Sequence, residues 1–266
     1  MNQERIKQSA GILALNRVRN QTIEGLPEEC RPVDLQEAYA VQDQLHALLD
    51  EAGYGKKVGY KIGCTTPIMQ EFLGIHSPCI GGIYNTATNY ISVSAKLDNF
   101  ARPGVECELA AFIGNDLVPH KNGSKFTRKS VAPAVKAVFS AIEIVDDRWI
   151  DYKKVDTPSL IADDFFGSGI VLSKPIPSKD APDLSKTRGR MTINGEQAGE
   201  GATGEILGHP YEALAWLANS LAERNQYLKS GEIVMLGSIV ETHWVKRNDE
   251  IAVEIDGIGG ALVKFI

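Results

Sequence analysis

The chain has 266 residues, enough to bury a sizeable core, and length alone permits one domain or two. Acidic residues number 34 against 28 basic ones, and the formal net charge of −6 argues against nucleic acid as a partner. No apolar run approaches the ~20 residues a membrane span needs, and the polar start Met1-Asn-Gln-Glu-Arg5 is not that of a signal peptide, so a cytoplasmic protein is expected.

In chain order, the first fifty residues read as helical. Ile6 to Asn16 is one run. Asp34 opens a second, because Asp34 with Glu37 three positions on is an N-cap signature, and Leu35, Ala38, Val41, Leu45 and Leu48 make a stripe. Gly53 and Gly55 end it. From Val58 the texture changes to short β-like runs at 58–62, 105–113, 138–146, 169–173, 190–193, 232–237, 251–255 and 261–265. These do not alternate regularly with helices, which argues against a doubly wound parallel sheet. A single helix interrupts them, Pro210 to Arg224, with proline in its first turn and Ala213, Leu214, Leu217 and Leu221 as its apolar stripe. The chain thus divides into a helical segment, 1–57, and a β-rich domain, 58–266.

The chemistry is concentrated in the β-like runs. Glu106 and Glu108 lie one residue apart in a segment that otherwise reads as a buried strand, so they share one face while Val105, Cys107 and Leu109 share the other. Paired buried carboxylates need a cation or take up a proton. Glu143, between Ile142 and Ile144, supplies a third acid from a second run. Such an all-oxygen set suits Mg²⁺ or Mn²⁺. Outward-facing acids on an edge strand, with Glu143 ion-paired, would fit the same spacing. Lys61, among apolar neighbours and glycines in Val58-Gly-Tyr-Lys-Ile-Gly63, is either a proton carrier or a lysine snorkelling from a strand edge.

Other signals carry less. Cysteines 30, 64, 79 and 107 lack C-x-x-C or zinc-finger spacing and read as reduced thiols. Gly199-Glu-Gly-Ala-Thr-Gly204 satisfies G-x-G-x-x-G, but the residues before it read as a hairpin around Asn194-Gly195, so no dinucleotide site is expected. His209 reads as structural, and His243 as an accessory proton carrier at most.

Six segments in register carry a resemblance: Gly59-Tyr-Lys-Ile-Gly-Cys-Thr-Thr66, the Glu-Cys-Glu run, Ala141-Ile-Glu-Ile-Val-Asp146, Leu207-Gly-His-Pro210, Leu217-Ala-Asn219 and Leu236-Gly-Ser238. From about residue 34 to the C-terminus the chain resembles the fumarylacetoacetate hydrolase superfamily, most closely its 2-keto-4-pentenoate hydratase and 4-oxalocrotonate decarboxylase branch. The resemblance implies an α+β fold with a mixed β-roll core and a helical N-terminal segment. It implies Mg²⁺ or Mn²⁺ on Glu106, Glu108 and Glu143, with Lys61 as general acid/base. Thr65 and Ser238 become candidates for holding a substrate carboxylate, though each would also serve as a turn or cap residue. Asp163 matches the family's Ala-Asp segment, where the carboxylate is either catalytic or caps a loop.

The activity so implied is addition of water to a short 2-hydroxy-2,4-dienoate, giving a 4-hydroxy-2-oxo acid in aromatic-compound catabolism, by at least a homodimer. Decarboxylation of a 2-oxo acid, or C–C hydrolysis of an acylpyruvate, would use the same metal. A non-catalytic binding protein with a vestigial site is the reading from another class. Three positions depart from close hydratase relatives, which have aspartate at Cys79, threonine near Val240 and asparagine at Asp164.

Overall fold

The computed structural model describes residues 1–65, 70–71 and 75–266. Helix α1 (Gln3–Val18) is capped by Asn2, and α2 (Leu35–Glu51) by Asp34, whose carboxylate accepts from the Glu37 N–H at 2.8 Å. The buried stripe of α2 is Ala38, Val41, Leu45 and Leu49; the expected stripe was rotated at both ends, because Leu35 at the exposed first turn and half-buried Leu48 fall off the 3-4-4 spacing. Then follow β1 (Lys57–Gly63), β2 (Cys79–Tyr84), β3 (Thr88–Tyr90), β4 (Ser92–Ala95) and β5 (Pro103–Ile113). A short α3 (Arg128–Val131) leads into β6 (Val135–Asp146), and α4 (Thr157–Ala162) into β7 (Gly167–Leu172) and β8 (Ile176–Pro177). The chain ends with β9 (Arg188–Ile193), β10 (Glu196–Ala202), α5 (Pro210–Glu223), β11 (Ile233–Ser238), β12 (His243–Trp244), β13 (Glu250–Ile255) and β14 (Gly259–Phe265).

The strands form two mixed sheets, as the α+β reading requires. One runs β2-β1-β11-β5-β6-β7-β3, with β12 along β5 and β8 along β6; the other runs β10-β9-β13-β14-β4. Pairing is antiparallel except for β1 with β11, β3 with β7 and β14 with β4. A single hydrophobic cluster joins Leu13 of α1, Leu45 of α2, Leu109 of β5, Leu217 of α5 and Val263 of β14. Burying one such Leu or Val side chain contributes about 1.5–3 kcal/mol.

All eight apolar runs are strands. The longer missed strands are β2 and β10, whose glycines weaken the β signal and are there for close approach. A Cβ on Gly82 would sit 2.7 Å from His46 Nε2, and one on Gly201 only 1.8 Å from the Ile239 carbonyl. The glycine-rich motif at 199–204 therefore begins in an edge strand, and Asn194 (φ 54°) with Gly195 (φ 86°) forms the tight hairpin turn before it.

Candidate metal centre and cavity

Register brings the acids together. On antiparallel β5 and β6, Glu106 stands directly opposite Glu143 and Glu108 opposite Ala141, while Ser238 of β11 stands opposite Glu108 from the other side. Val105, Cys107 and Leu109 point into the main core, so Glu106 and Glu108 take the other face. One oxygen from each of Glu106, Glu108 and Glu143 lies within 4.8 Å of the others. At that distance and an effective dielectric of ~20, each pair of charges repels by roughly 3–4 kcal/mol.

The protein supplies little to offset this. The buried Lys61 ammonium lies 2.5 Å from Glu143 Oε1 and donates to the Phe165 carbonyl at 2.9 Å. Glu108 accepts from the Gly237 N–H at 3.2 Å, and Glu106 accepts from the Thr242 hydroxyl. Among the described residues neither oxygen of Glu143 has a hydrogen bond of ordinary geometry. Burial, and then the charge of Glu143, pushes Glu106 up to about 7. Burial, and then Glu143 and Glu106, holds Glu108 well above the usual carboxylate range. For Lys61 burial acts downward, but Glu143 and Glu106 outweigh it and keep the ammonium above its ordinary value. Three carboxylates, two buried and one half-buried, facing one ammonium lack positive charge, and hard oxygen donors this close fit a divalent cation.

The acids and Lys61 form the base of a cavity of about 540 Å³. Thr65 and Ser238 are on its wall, near the base. Gly237 (φ 132°) passes so close to Thr65 that a Cβ there would meet its hydroxyl at 2.5 Å. The Ser238 hydroxyl donates to the Val240 carbonyl at 2.7 Å, so it would have to turn to donate to a ligand. Tyr152, Phe165, Phe166 and Trp244 supply aromatic wall, and Val145, Ile239 and Val240 aliphatic wall. Exposed Glu200, Glu205 and Glu241 stand at the rim.

Asp163 is not on this wall. Its carboxylate is taken up by Arg17 at 2.6 Å and Arg148 at 2.9 Å, within a buried ion-pair network. Asp164 joins that network, bound by Arg17 at 2.8 Å, His46 at 2.6 Å, the Gly82 N–H at 2.8 Å and the Tyr84 hydroxyl at 2.8 Å. His243 is likewise off the cavity wall, on β12 beside Val105. Cys79 is buried opposite Gly63 on β1, and Val240 is the one departure on the wall. Thr66 lies outside the described residues.

Sequence reading missed Thr242 and Arg17. Asp164, Phe165 and Phe166 carry φ of 56°, 46° and 65°, a left-handed run no local pattern announces. Arg17 did leave a signal: it continues the buried stripe Ile6, Ala10, Leu13 of α1, and a charge there needs a buried partner.

The chain is 32% identical over 265 residues to the 2-keto-4-pentenoate hydratase of Paraburkholderia phymatum, covering 98% of this chain and 97% of the relative. It is 30% identical over 247 residues to the 2-hydroxyhexa-2,4-dienoate hydratase of Comamonas testosteroni, covering 92% and 91%. The solved 4-oxalocrotonate decarboxylase from Pseudomonas putida G7, complexed with magnesium and adipate, shares the fold with a TM-score of 0.93 at 24% identity, covering 100% of this chain and 99% of that one. The family model for the fumarylacetoacetate hydrolase C-terminal domain matches residues 84–264, which take in all three acids and the strands from β3 onward, and the chain belongs to that family.

Proposed function

We propose that this protein is a divalent-metal-dependent hydratase of the cytoplasm that adds water to a short 2-hydroxy-2,4-dienoate, giving a 4-hydroxy-2-oxo acid in aromatic-compound catabolism. The observation that carries the reading is the convergence of three carboxylates and one buried lysine at the base of a largely apolar cavity. Full-length similarity to hydratases supports it. Glu106, Glu108 and Glu143 would hold Mg²⁺ or Mn²⁺. When bound, the ion supplies a Lewis acid that offsets the negative charge a 2-oxo acid develops during proton transfer. Lys61 holds a proton at Nζ, aimed by the Phe165 carbonyl, and moves it along the conjugated chain. Thr65 and Ser238 hold the substrate 1-carboxylate, and Phe165 and Phe166 keep bulk water from the base of the cavity.

Decarboxylation is the second reading, favoured by 29% identity over 234 residues to the 4-oxalocrotonate decarboxylase of Pseudomonas putida, covering 86% of this chain and 85% of that one. Incubation with Mg²⁺ or Mn²⁺ and, separately, a 2-hydroxydienoate, oxalocrotonate and an acylpyruvate, with products identified by mass, decides. Gain of water by the dienoate supports hydration. Loss of carbon dioxide from oxalocrotonate or cleavage of the acylpyruvate would replace that reading, and binding without turnover of any of them would make the chain a binding protein.

A further inference from the structure

The relatives of this chain divide by the far end of the substrate: 2-keto-4-pentenoate and 2-hydroxyhexa-2,4-dienoate carry one carboxylate, while 4-oxalocrotonate and 2-oxo-hept-4-ene-1,7-dioate carry two. A second carboxylate taken out of water needs a cation or several hydrogen-bond donors to receive it. Lys61 is the one cationic side chain on the described wall, and it is committed at the base to Glu143 and Phe165. Residues 66–69 and 72–74 contain no Lys, Arg or His that could supply another.

Two arginines close to the rim are already engaged. Arg188 binds Glu200 with its Nε at 2.7 Å from the carboxylate. Arg102 lies over the rings of Trp244, at 4.7 Å, and Tyr152, at 5.7 Å, and is ion-paired with Asp147. A divalent ion and Lys61 together balance the three acids at the base, two charges and one against three. At the rim Glu200 is then paired with Arg188, while Glu205 and Glu241 have no ion-pair partner among the described residues.

We infer that this cavity selects 2-oxo and 2-hydroxydienoic monoacids with a neutral, apolar far end, and disfavours diacids of the same length. The inference rests on the hydratase reading for the orientation of the substrate, with its 1-carboxylate at the base. A distal carboxylate would lose water against Phe166, Val240 and Trp244 without gaining a hydrogen-bonded cation, and would face like charge at the mouth. An alkyl end meets the same wall favourably. Specificity of this kind comes from the repulsive element as much as from the attractive one.

Two pairs matched in carbon number test it: 2-hydroxyhexa-2,4-dienoate against 2-hydroxyhexa-2,4-diene-1,6-dioate for turnover, and unreactive 2-oxohexanoate against 2-oxoadipate for calorimetric binding to the Mn²⁺-loaded protein. The monoacid is expected to lead by about tenfold or more in kcat/KM and in affinity, with the gap shrinking as ionic strength rises, since the rim charges are exposed. Glu205→Lys or Glu241→Lys is expected to narrow the gap by about threefold or more, because each places a cation where the diacid lacks one. A diacid that equals or exceeds the monoacid in the unmodified protein overturns the inference, as does a gap that neither variant moves. If neither dienoate is turned over, the hydratase reading fails by itself, and the ratio of the two 2-oxo acid affinities still decides the charge selection.

Discussion

At the residue scale, the three acids and Lys61 divide two tasks that substitutions can separate. Glu108→Gln keeps the side chain's size and its acceptor for the Gly237 N–H, but removes one of the three charges available to an ion. Titration with Mn²⁺ should therefore show affinity falling by about tenfold or more, and equal binding by the variant would remove Glu108 from the ligand set. Lys61→Ala has a different signature. Without metal it strips buried Glu143 of its cation and leaves three carboxylates repelling one another, so the metal-free variant should melt at a lower temperature than the unmodified protein. Added Mn²⁺ should restore most of that loss, while kcat stays about 10²- to 10⁴-fold down, the usual weight of general acid/base catalysis. A metal-loaded Lys61→Ala protein with normal kcat would place the proton carrier elsewhere.

At the element scale, the segment between α4 and β7 is held in a left-handed run by groups from distant elements. Arg17 of α1, His46 of α2, and Gly82 and Tyr84 of β2 all converge on Asp164, while Arg17 and Arg148 hold Asp163. The Phe165 carbonyl thus held is the one that receives Lys61, so the helical segment reaches the cavity through this cluster. Burial alone would raise the Asp164 carboxyl, but His46 and Arg17 outweigh it and hold it far below the ordinary value of 3.8. A carboxyl depressed in the folded state contributes stability that is complete above the unfolded value and is lost as pH falls below it. Asp164→Asn should therefore cost about 3–5 kcal/mol at neutral pH, the weight of a broken buried pair, and flatten the stability profile below about pH 4. Denaturant melts of both proteins from neutral pH down to about pH 3 check this; parallel profiles would mean that another acid governs acid unfolding.

That cluster also marks where sequence stops being informative. Strands β1, β5, β6 and β11 are legible because apolar runs bounded by turn residues leave few alternatives, and the carboxylate triad is legible because a strand's period of two fixes which side chains share a face. Pairings such as Arg17 with Asp163, 146 residues apart, follow no local period and are set by the tertiary fold. Strand β2 was hidden for a related reason: Gly81 and Gly82 are there to let Lys61 and His46 pass, a demand made by other elements.

At the scale of the whole molecule, we propose residue 58 as the limit between the helical segment and the catalytic domain, although the two share one hydrophobic cluster. Leu13, Leu45 and Leu49 pack in the same core as the sheets, and Arg17 and His46 satisfy Asp164. A fragment of residues 58–266 should therefore fail to give a cooperative thermal transition, whereas independent folding would make the helices an accessory. The complete chain, in turn, is expected to pair with a second copy. No described helix is long and apolar enough to cross a membrane, yet Leu15 and Val18 on the last turns of α1 are about half exposed, and Ile150 is 65% exposed. Ile150 is tied by its N–H to the Ile23 carbonyl, five residues past the end of α1. An apolar surface of this sort gains by being covered, and a closed twofold pair is the commonest way for identical chains to cover it. Light scattering at micromolar concentration should give at least twice the 28.9 kDa of one chain, and Ile150→Glu should shift the mass toward one chain. A mass of one chain for the unmodified protein would refute the pairing, and an unshifted mass in the variant would move the interface to another face.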